Sequence, residues 1–345
     1  MFEFTMQERD RRWQKVRGEM AARDLGALVV WDSFGGHGRY NANLRYLSDC
    51  KTEGYLVFPL EAEPVLVIFL RSARSPWVAQ RRTGHPNYSE TIAEILQELR
   101  LEKAGIGIVS LSGYYGQMGG FPHATYRSLA ASLPGARFED ATDILEEARR
   151  VKSDEEIRCI ELGCAAANRV IGAVADTAGA GATDHEVRAT IMDTLFRSGC
   201  EPASMLLYSS GKAMSGPGGG GHFESGGDRS LEPGDVILTE FDAQYHGYVA
   251  QHNQPFSVGE PDRQWREIFR VASEAYHNGL DKLKPGITVG RLDEAFLSVI
   301  RASGYVAGYP QFHNSGLGGV EEPIGAFTTQ PGYKPKTSPF MVVLS

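Results

Sequence analysis

Residues 146–156 constrain the architecture of this chain more than any other stretch, because Arg149, Arg150 and Lys152 stand there among acidic residues immediately before a helical pattern opens at Asp154. Such a charged segment reads as a boundary. It divides the 345 residues into an N-terminal unit, 1–148, and a C-terminal unit, 149–345, each long enough to bury its own core. In the first unit, residues 7–23 place Trp13, Val16, Met20 and Ala21 at helical spacing between charges, and Gly26 leads into an apolar strand at 27–31. Strands are expected at 55–58 and 64–69 around a polar turn, then a helix at 91–101 and a strand at 104–109.

Beyond the boundary, a helix over 154–176 carries Ile157, Ile160, Ala165, Val170, Ile171 and Val174 as its apolar positions. Thr183, Asp184 and Glu186 form a capping cluster ahead of a second helix at 186–197. Strands at 205–208, 236–240, 247–250 and 254–258 precede helices at 264–283 and 289–302. The fold class is α/β (α+β), its second half built on a curved sheet with a concave face.

Composition narrows the function. The 35 basic and 43 acidic residues leave a net charge of −8, the wrong sign for a protein that holds nucleic acid or an anionic membrane on a basic face. No apolar run approaches the ~20 residues that span a bilayer, and the N-terminus lacks a basic flank with an apolar core, so a cytoplasmic protein is expected. Cys50, Cys159, Cys164 and Cys200 lack zinc-site or disulfide-framework spacing and read as buried thiols.

The sharpest chemical feature is the run 216–222, GPGGGGH, which lets backbone approach a ligand and ends in His222. It is not a phosphate loop: Gly211 and Lys212 are followed by Ala213, and no glycine precedes them at the required spacing. After it, residues 231–261, LEPGDVILTEFDAQYHGYVAQHNQPFSVGEP, resemble the signature region of the creatinase, prolidase and aminopeptidase P family, whose fold is called pita-bread. The matching framework positions are Gly234, Asp235, Tyr245, Gly247, Tyr248, Phe256 and Gly259. The stretch 150–157, RVKSDEEI, resembles the family's entry into the catalytic domain, 312–323, FHNSGLGGVEEP, its downstream histidine segment, and 41–47 its N-domain. The resemblance implies a creatinase-like α/β N-domain followed by a pita-bread catalytic domain with a curved antiparallel sheet.

Family metallopeptidases hold two metal ions with two aspartates, one histidine and two glutamates. In this chain the resemblance places Glu240 at the first aspartate, Gln251 at the second and His313 at the histidine, with Val320 in place of a second histidine. Neither C-terminal glutamate is found before Ser345. An amide at Gln251 lacks the charge that bridges two cations, so no metal and no cofactor is expected. The pattern is similar to the metal-free creatinase and ectoine hydrolase branch, which implies hydrolysis of a C–N bond in a small guanidinium, amidine or cyclic amide compound. His222 then serves as general acid and base, and Glu240 as substrate anchor or nucleophile, with His313 as a third catalytic group. Gln251, Asp242, His252 and Glu321 are expected to bind substrate, with Asp242 on the face of Glu240 along an extended strand. The family also implies a homodimer in which a partner loop covers the pocket, with Phe34, His37 and Arg39 as its residues. Alternatives are a metal-dependent Xaa-Pro dipeptidase, a non-catalytic pita-bread binding module and a lyase acting on a small zwitterion.

Overall fold

The computed structural model describes residues 2–32, 42–68, 74–84, 87–111, 120–202, 206–211, 229–307 and 311–324. Contacts divide the chain into two compact units at Arg158. The first contains α1 (Met6–Ala22), β1 (Leu25–Asp32), α2 (Ala42–Ser48), β2 (Gly54–Pro59), β3 (Val65–Ile68), β4 (Gln80–Thr83), α3 (Tyr88–Glu98), β5 (Gly105–Val109), α4 (His123–Ser132), β6 (Arg137–Asp140) and α5 (Thr142–Arg150). Its strands form a mixed sheet in the order β4-β3-β2-β1-β5-β6. β1 pairs antiparallel with β2 and parallel with β5, as a right-twisted sheet fed by helical crossovers allows. Strands β2, β3 and β5 are buried along their whole length, and they are the stretches that read as unbroken apolar runs. One face packs Val29, Val57 and Ile108 against Ile92 and Leu96 of α3 and Leu129 of α4. On α1, Trp13 meets Phe58 edge-on with ring centroids 5.6 Å apart.

The boundary segment is more ordered than its charge implies. Its first part belongs to α5, which buries Ile144, Leu145 and Ala148, and its last residues open α6 (Asp154–Thr177), whose Glu156 is 1% exposed. Arg12, also 1% exposed, donates from Nε to Glu8 Oε1 at 2.6 Å and from Nη1 to the Tyr46 carbonyl at 3.2 Å, and its Nη2 lies 3.6 Å from Glu156 Oε1. Arg11 Nη2 donates to the other Glu156 oxygen at 2.7 Å. The Arg12 guanidinium also stacks over Phe4 at 4.3 Å and Tyr46 at 4.6 Å. Burial alone would raise the Glu8 carboxyl, but the hydrogen bonds and charges of Arg11 and Arg12 prevail and hold it below the ordinary range.

The second unit continues along α6 through α7 (Asp184–Arg197), β7 (Leu206–Gly211), β8 (Val236–Tyr245), β9 (Tyr248–Ser257), α8 (Arg263–Lys282), α9 (Val289–Ala302), β10 (His313–Gly316) and β11 (Gly319–Ile324). Strands β7, β8 and β9 form an antiparallel sheet, and β10 pairs with β11. The β8–β9 connection is a two-residue turn in which His246 (φ 49°) and Gly247 (φ 85°) both take left-handed backbone, the conformation that matches strand twist in a tight hairpin. Residues 247–250 and 254–258, which read as two strands, belong to one: Gln251, His252 and Asn253 interrupt the apolar pattern but pair with Asp242, Phe241 and Glu240. The α7 cap has the expected reciprocal form, Thr183 Oγ1 accepting from the Glu186 N–H at 3.2 Å while the Glu186 carboxylate accepts from the Thr183 N–H at 2.7 Å.

Helix α6 turns a different face inward from the one its large residues mark. Cys159, Gly163, Ala166, Ala167, Val170 and Val174 are buried, whereas Ala165 is exposed and Ile157, Ile160 and Ile171 only half-buried. Small residues win because the helix lies close on the hairpin: a Cβ at Gly163 would come within 2.8 Å of the Ala243 carbonyl oxygen and 3.1 Å of Ala250 Cβ. Cys164, one position beyond the buried Gly163, turns to the exposed side, so only Cys50, Cys159 and Cys200 are buried thiols.

Candidate functional site

Strand parity builds the site. Phe241, Ala243 and Ala250 of the hairpin enter the apolar cluster with Ala166, Val170 and Ile191 of the helices. Alternation therefore turns Glu240, Asp242 and Gln244 of β8, with Val249, Gln251 and Asn253 of β9, to the opposite face. Asp242 and Gln251 are directly opposed across the ladder. Gln251 Nε2 donates to Asp242 Oδ1 at 3.4 Å, and His313 on β10, which runs beside β9, brings Nε2 to 2.6 Å from Gln251 Oε1. The other ring nitrogen, Nδ1, lies 3.0 Å from the Asn314 carbonyl oxygen. Four groups singled out in the sequence, Glu240, Asp242, Gln251 and His313, thus come together on one face.

The electrostatics of this face centre on Glu240. Burial raises the Glu240 carboxyl above the ordinary range and the neighbouring Asp242 charge raises it further. No cationic side chain among the described residues pairs with Glu240. Asp242 is buried. Two carboxylates at alternate positions of one strand, with an amide and an imidazole across from them, can bind a cationic nitrogen and present hydrogen-bond donors and acceptors to what is attached to it.

Other expected site residues are placed elsewhere. His252 pairs with Phe241, and so faces the helices: their rings lie 5.9 Å apart and burial depresses the imidazole's pKa. It shares no face with Glu240, and its expected contact with substrate does not fit that placement. Glu321 is buried on β11 and packs over Gly316, where any side chain would collide with its carboxylate. His222, Phe34, His37 and Arg39 lie outside the described residues, as does the segment after Ile324. Sequence reasoning missed Gln244 and Asn253, although the period of two that joins Asp242 to Glu240 also reaches them. Gln244 is 1% exposed; its Nε2 donates to the Gly247 carbonyl at 3.4 Å, and its Oε1 is buried without a hydrogen bond among the described residues.

Among the described residues the donor set does not fit a dinuclear metal centre. At residue 251, where the resemblance expects a carboxylate, stands an amide, and its oxygen, the atom best suited to a cation, is taken by His313. Among the described residues no three His, Cys, Asp or Glu side chains are grouped to hold an ion. Nor, among them, is any helix long and apolar enough to cross a membrane.

Comparison with known proteins agrees with the two-unit organisation. Residues 12–151 match the creatinase/prolidase N-terminal domain and residues 158–343 match metallopeptidase family M24. An Xaa-Pro dipeptidase of Pyrococcus horikoshii is 28% identical over 217 residues, 63% of this chain and 58% of that protein. A second, from Pyrococcus furiosus, is 28% identical over 49% of this chain and 47% of its own length. The chain thus spans about half the length of these curated relatives. In structure it is similar to an X-Pro aminopeptidase of Thermotoga maritima, with a TM-score of 0.73 at 21% identity over 93% of this chain and 87% of the other. The prolidase of Pyrococcus horikoshii gives a TM-score of 0.73 at 22% identity over 92% and 85%. These likenesses establish the pita-bread fold. With the M24 match covering more than half of its residues, the chain belongs to metallopeptidase family M24, as a creatinase/prolidase-type N-terminal domain joined to an M24 domain.

Proposed function

We propose that this chain is a hydrolase of an amide C–N bond in a small substrate that carries a cationic nitrogen beside the scissile bond, with Xaa-Pro dipeptides as the substrate class. The observation that carries this reading is the placement of Glu240 and Asp242 on one face with Gln251 and His313. A carboxyl raised by burial and by a like charge gains most from a cationic partner, and the α-ammonium of a dipeptide supplies one. Membership of family M24 and the Xaa-Pro dipeptidase names of the relatives support the peptide class over the guanidinium class that the sequence put first. His222 completes the proposal as the general acid and base that activates water and protonates the leaving nitrogen. A cytoplasmic homodimer, with Phe34, His37 and Arg39 reaching the partner's pocket, belongs to the same proposal.

One observation favours a second reading. The amide at Gln251 removes the charge a bridged metal pair needs, which suits a metal-independent hydrolase of a planar guanidinium or amidinium compound, whose two N–H groups fit a carboxylate in fork geometry. Amine release from Ala-Pro and Gly-Pro, from Ala-Leu and from guanidino acids, each with chelator and with added Mn²⁺, separates the two. Preferential cleavage of the proline dipeptides is expected. Turnover of guanidino acids alone would install the second reading, and tight binding of either class without turnover would make the chain a binding module.

A further inference from the structure

We infer that Gln251 is a positioning residue that, oriented by Asp242, locks His313 as a hydrogen-bond donor and so makes this face select against divalent metal ions. A carboxylate has no hydrogen to give, so the amide facing Asp242 must present its NH₂ end, and Nε2 does so at 3.4 Å. The carbonyl end is thereby left toward β10, where it lies 2.6 Å from His313 Nε2. That oxygen can only accept, so Nε2 carries the hydrogen. Nδ1 faces a second pure acceptor, the Asn314 carbonyl oxygen at 3.0 Å. The ring is held between two oxygens that both ask it to donate, and the lone pair a metal needs is not offered at Nε2.

The register makes the arrangement possible. Asp242 and Gln251 are a direct cross-strand pair, close enough for their side chains to meet. The negative charge absent at residue 251 is present one strand away at residue 242, where it orients the amide. One β8 carboxylate, Asp242, thus holds the amide, and the histidine that would close a compact ion site is tied to β9. This inference does not depend on which substrate is hydrolysed.

The test uses the full chain and free Mn²⁺ or Zn²⁺. Long-range ¹H–¹⁵N spectra of the imidazoles, with His313 assigned by its loss in His313→Asn, should show hydrogen on Nε2, unchanged by stoichiometric Zn²⁺. Asp242→Asn frees the amide to turn over and should shift the His313 ring signals, and Gln251→Leu should release them from the Nε2–H form. Gln251→Asp replaces the acceptor amide with a charged ligand and should tighten Mn²⁺ binding, measured by calorimetry, by about 10²-fold, with His313 broadened by the bound ion. The inference is overturned if His313 of the unaltered protein lacks hydrogen on Nε2, or is broadened by stoichiometric Mn²⁺. It is equally overturned if Gln251→Leu leaves the ring signals unchanged. The spectra of the unaltered chain decide the matter even if a substituted chain fails to fold.

Discussion

Buried charge is treated in opposite ways in the two units of this chain. Around Arg12 in the N-terminal unit, Glu8 and Glu156 are as deeply buried as the arginine, and guanidinium donors, carboxylates and aromatic faces satisfy one another within a few ångströms. On the β8 face of the second unit, Glu240 and Asp242 are set side by side, the Glu240 carboxyl is pushed upward, and no described cation balances it. Both clusters contain acids that burial disfavours. The first supplies its own counter-charges and fixes α1 to the start of α6; in the second, no cation among the described residues pairs with Glu240. A completed ionic cluster is a structural device, whereas a buried acid with no described cation beside it, such as Glu240, gains most from a cationic ligand.

That contrast can be broken most directly at Arg12. Arg12→Leu leaves two buried glutamates short of a partner and should cost about 3–5 kcal/mol in denaturant unfolding. Arg270→Ala, which removes only exposed pairs with Glu267 and Glu274, should leave the unfolding midpoint close to that of the parent. Equal effects would mean that the Arg12 cluster is no more structural than a surface pair. Glu240→Gln should give the converse result: folding stability within about 1 kcal/mol of the parent, and kcat/KM on the substrate identified by the panel reduced about 10²-fold, since a charged hydrogen-bond partner is lost. A large loss of stability with activity preserved would move Glu240 into the structural class.

Gly163 sharpens the comparison from behind the hairpin, because it touches neither cluster. Gly163→Leu must push α6 away from Ala243 and Ala250, and a cost of about 1–3 kcal/mol is expected from thermal or denaturant unfolding. An unchanged midpoint would show that the close approach of helix and hairpin is not required.

The smallest effect concerns Asp32, a third kind of charge. This carboxylate at the end of β1 accepts the Leu44 N–H at 2.5 Å, yet burial outweighs that bond, the Asn43 N–H and the charge of Arg149, and pushes its pKa up to about 7. A group that holds its proton more tightly when folded favours folding at low pH. Its contribution is complete below about pH 4 and lost progressively as pH rises toward 7. Asp32→Asn should flatten that part of the stability–pH profile. A slope unchanged by the substitution would assign it to other groups.

Much of this was legible in the chain. The strands of the first sheet were visible because buried central strands are apolar on both faces, and the α7 cap because Thr183 and Glu186 stand at the one spacing that lets each satisfy the other's backbone. The alternation of Glu240 and Asp242, and the amide at Gln251, pointed to a polar strand face and an altered ligand set. Less was visible where the signal is not hydrophobicity. The short edge strands β4 and β6 carry mostly polar residues, and the middle of β9 is a run of polar residues, Gln251, His252 and Asn253, so neither shows a strand's usual pattern.

What the amino-acid order determined by itself was local: helix caps, apolar periods, turn residues, and which groups could share one face of a strand. The tertiary structure decided which face is which. His252 and Gln251 are adjacent in sequence and equally polar, but only the packing of α6 and α7 against Phe241 and Ala250 sends one toward the helices and leaves the other opposite Asp242. The inward face of α6 was likewise chosen by close approach to the hairpin rather than by side-chain size. The bond from His313 to Gln251 joins groups 62 residues apart, and no period in either strand encodes it. Register across strands and contact between distant elements come from how backbones pair and pack, and that is where the chemistry of this face was settled.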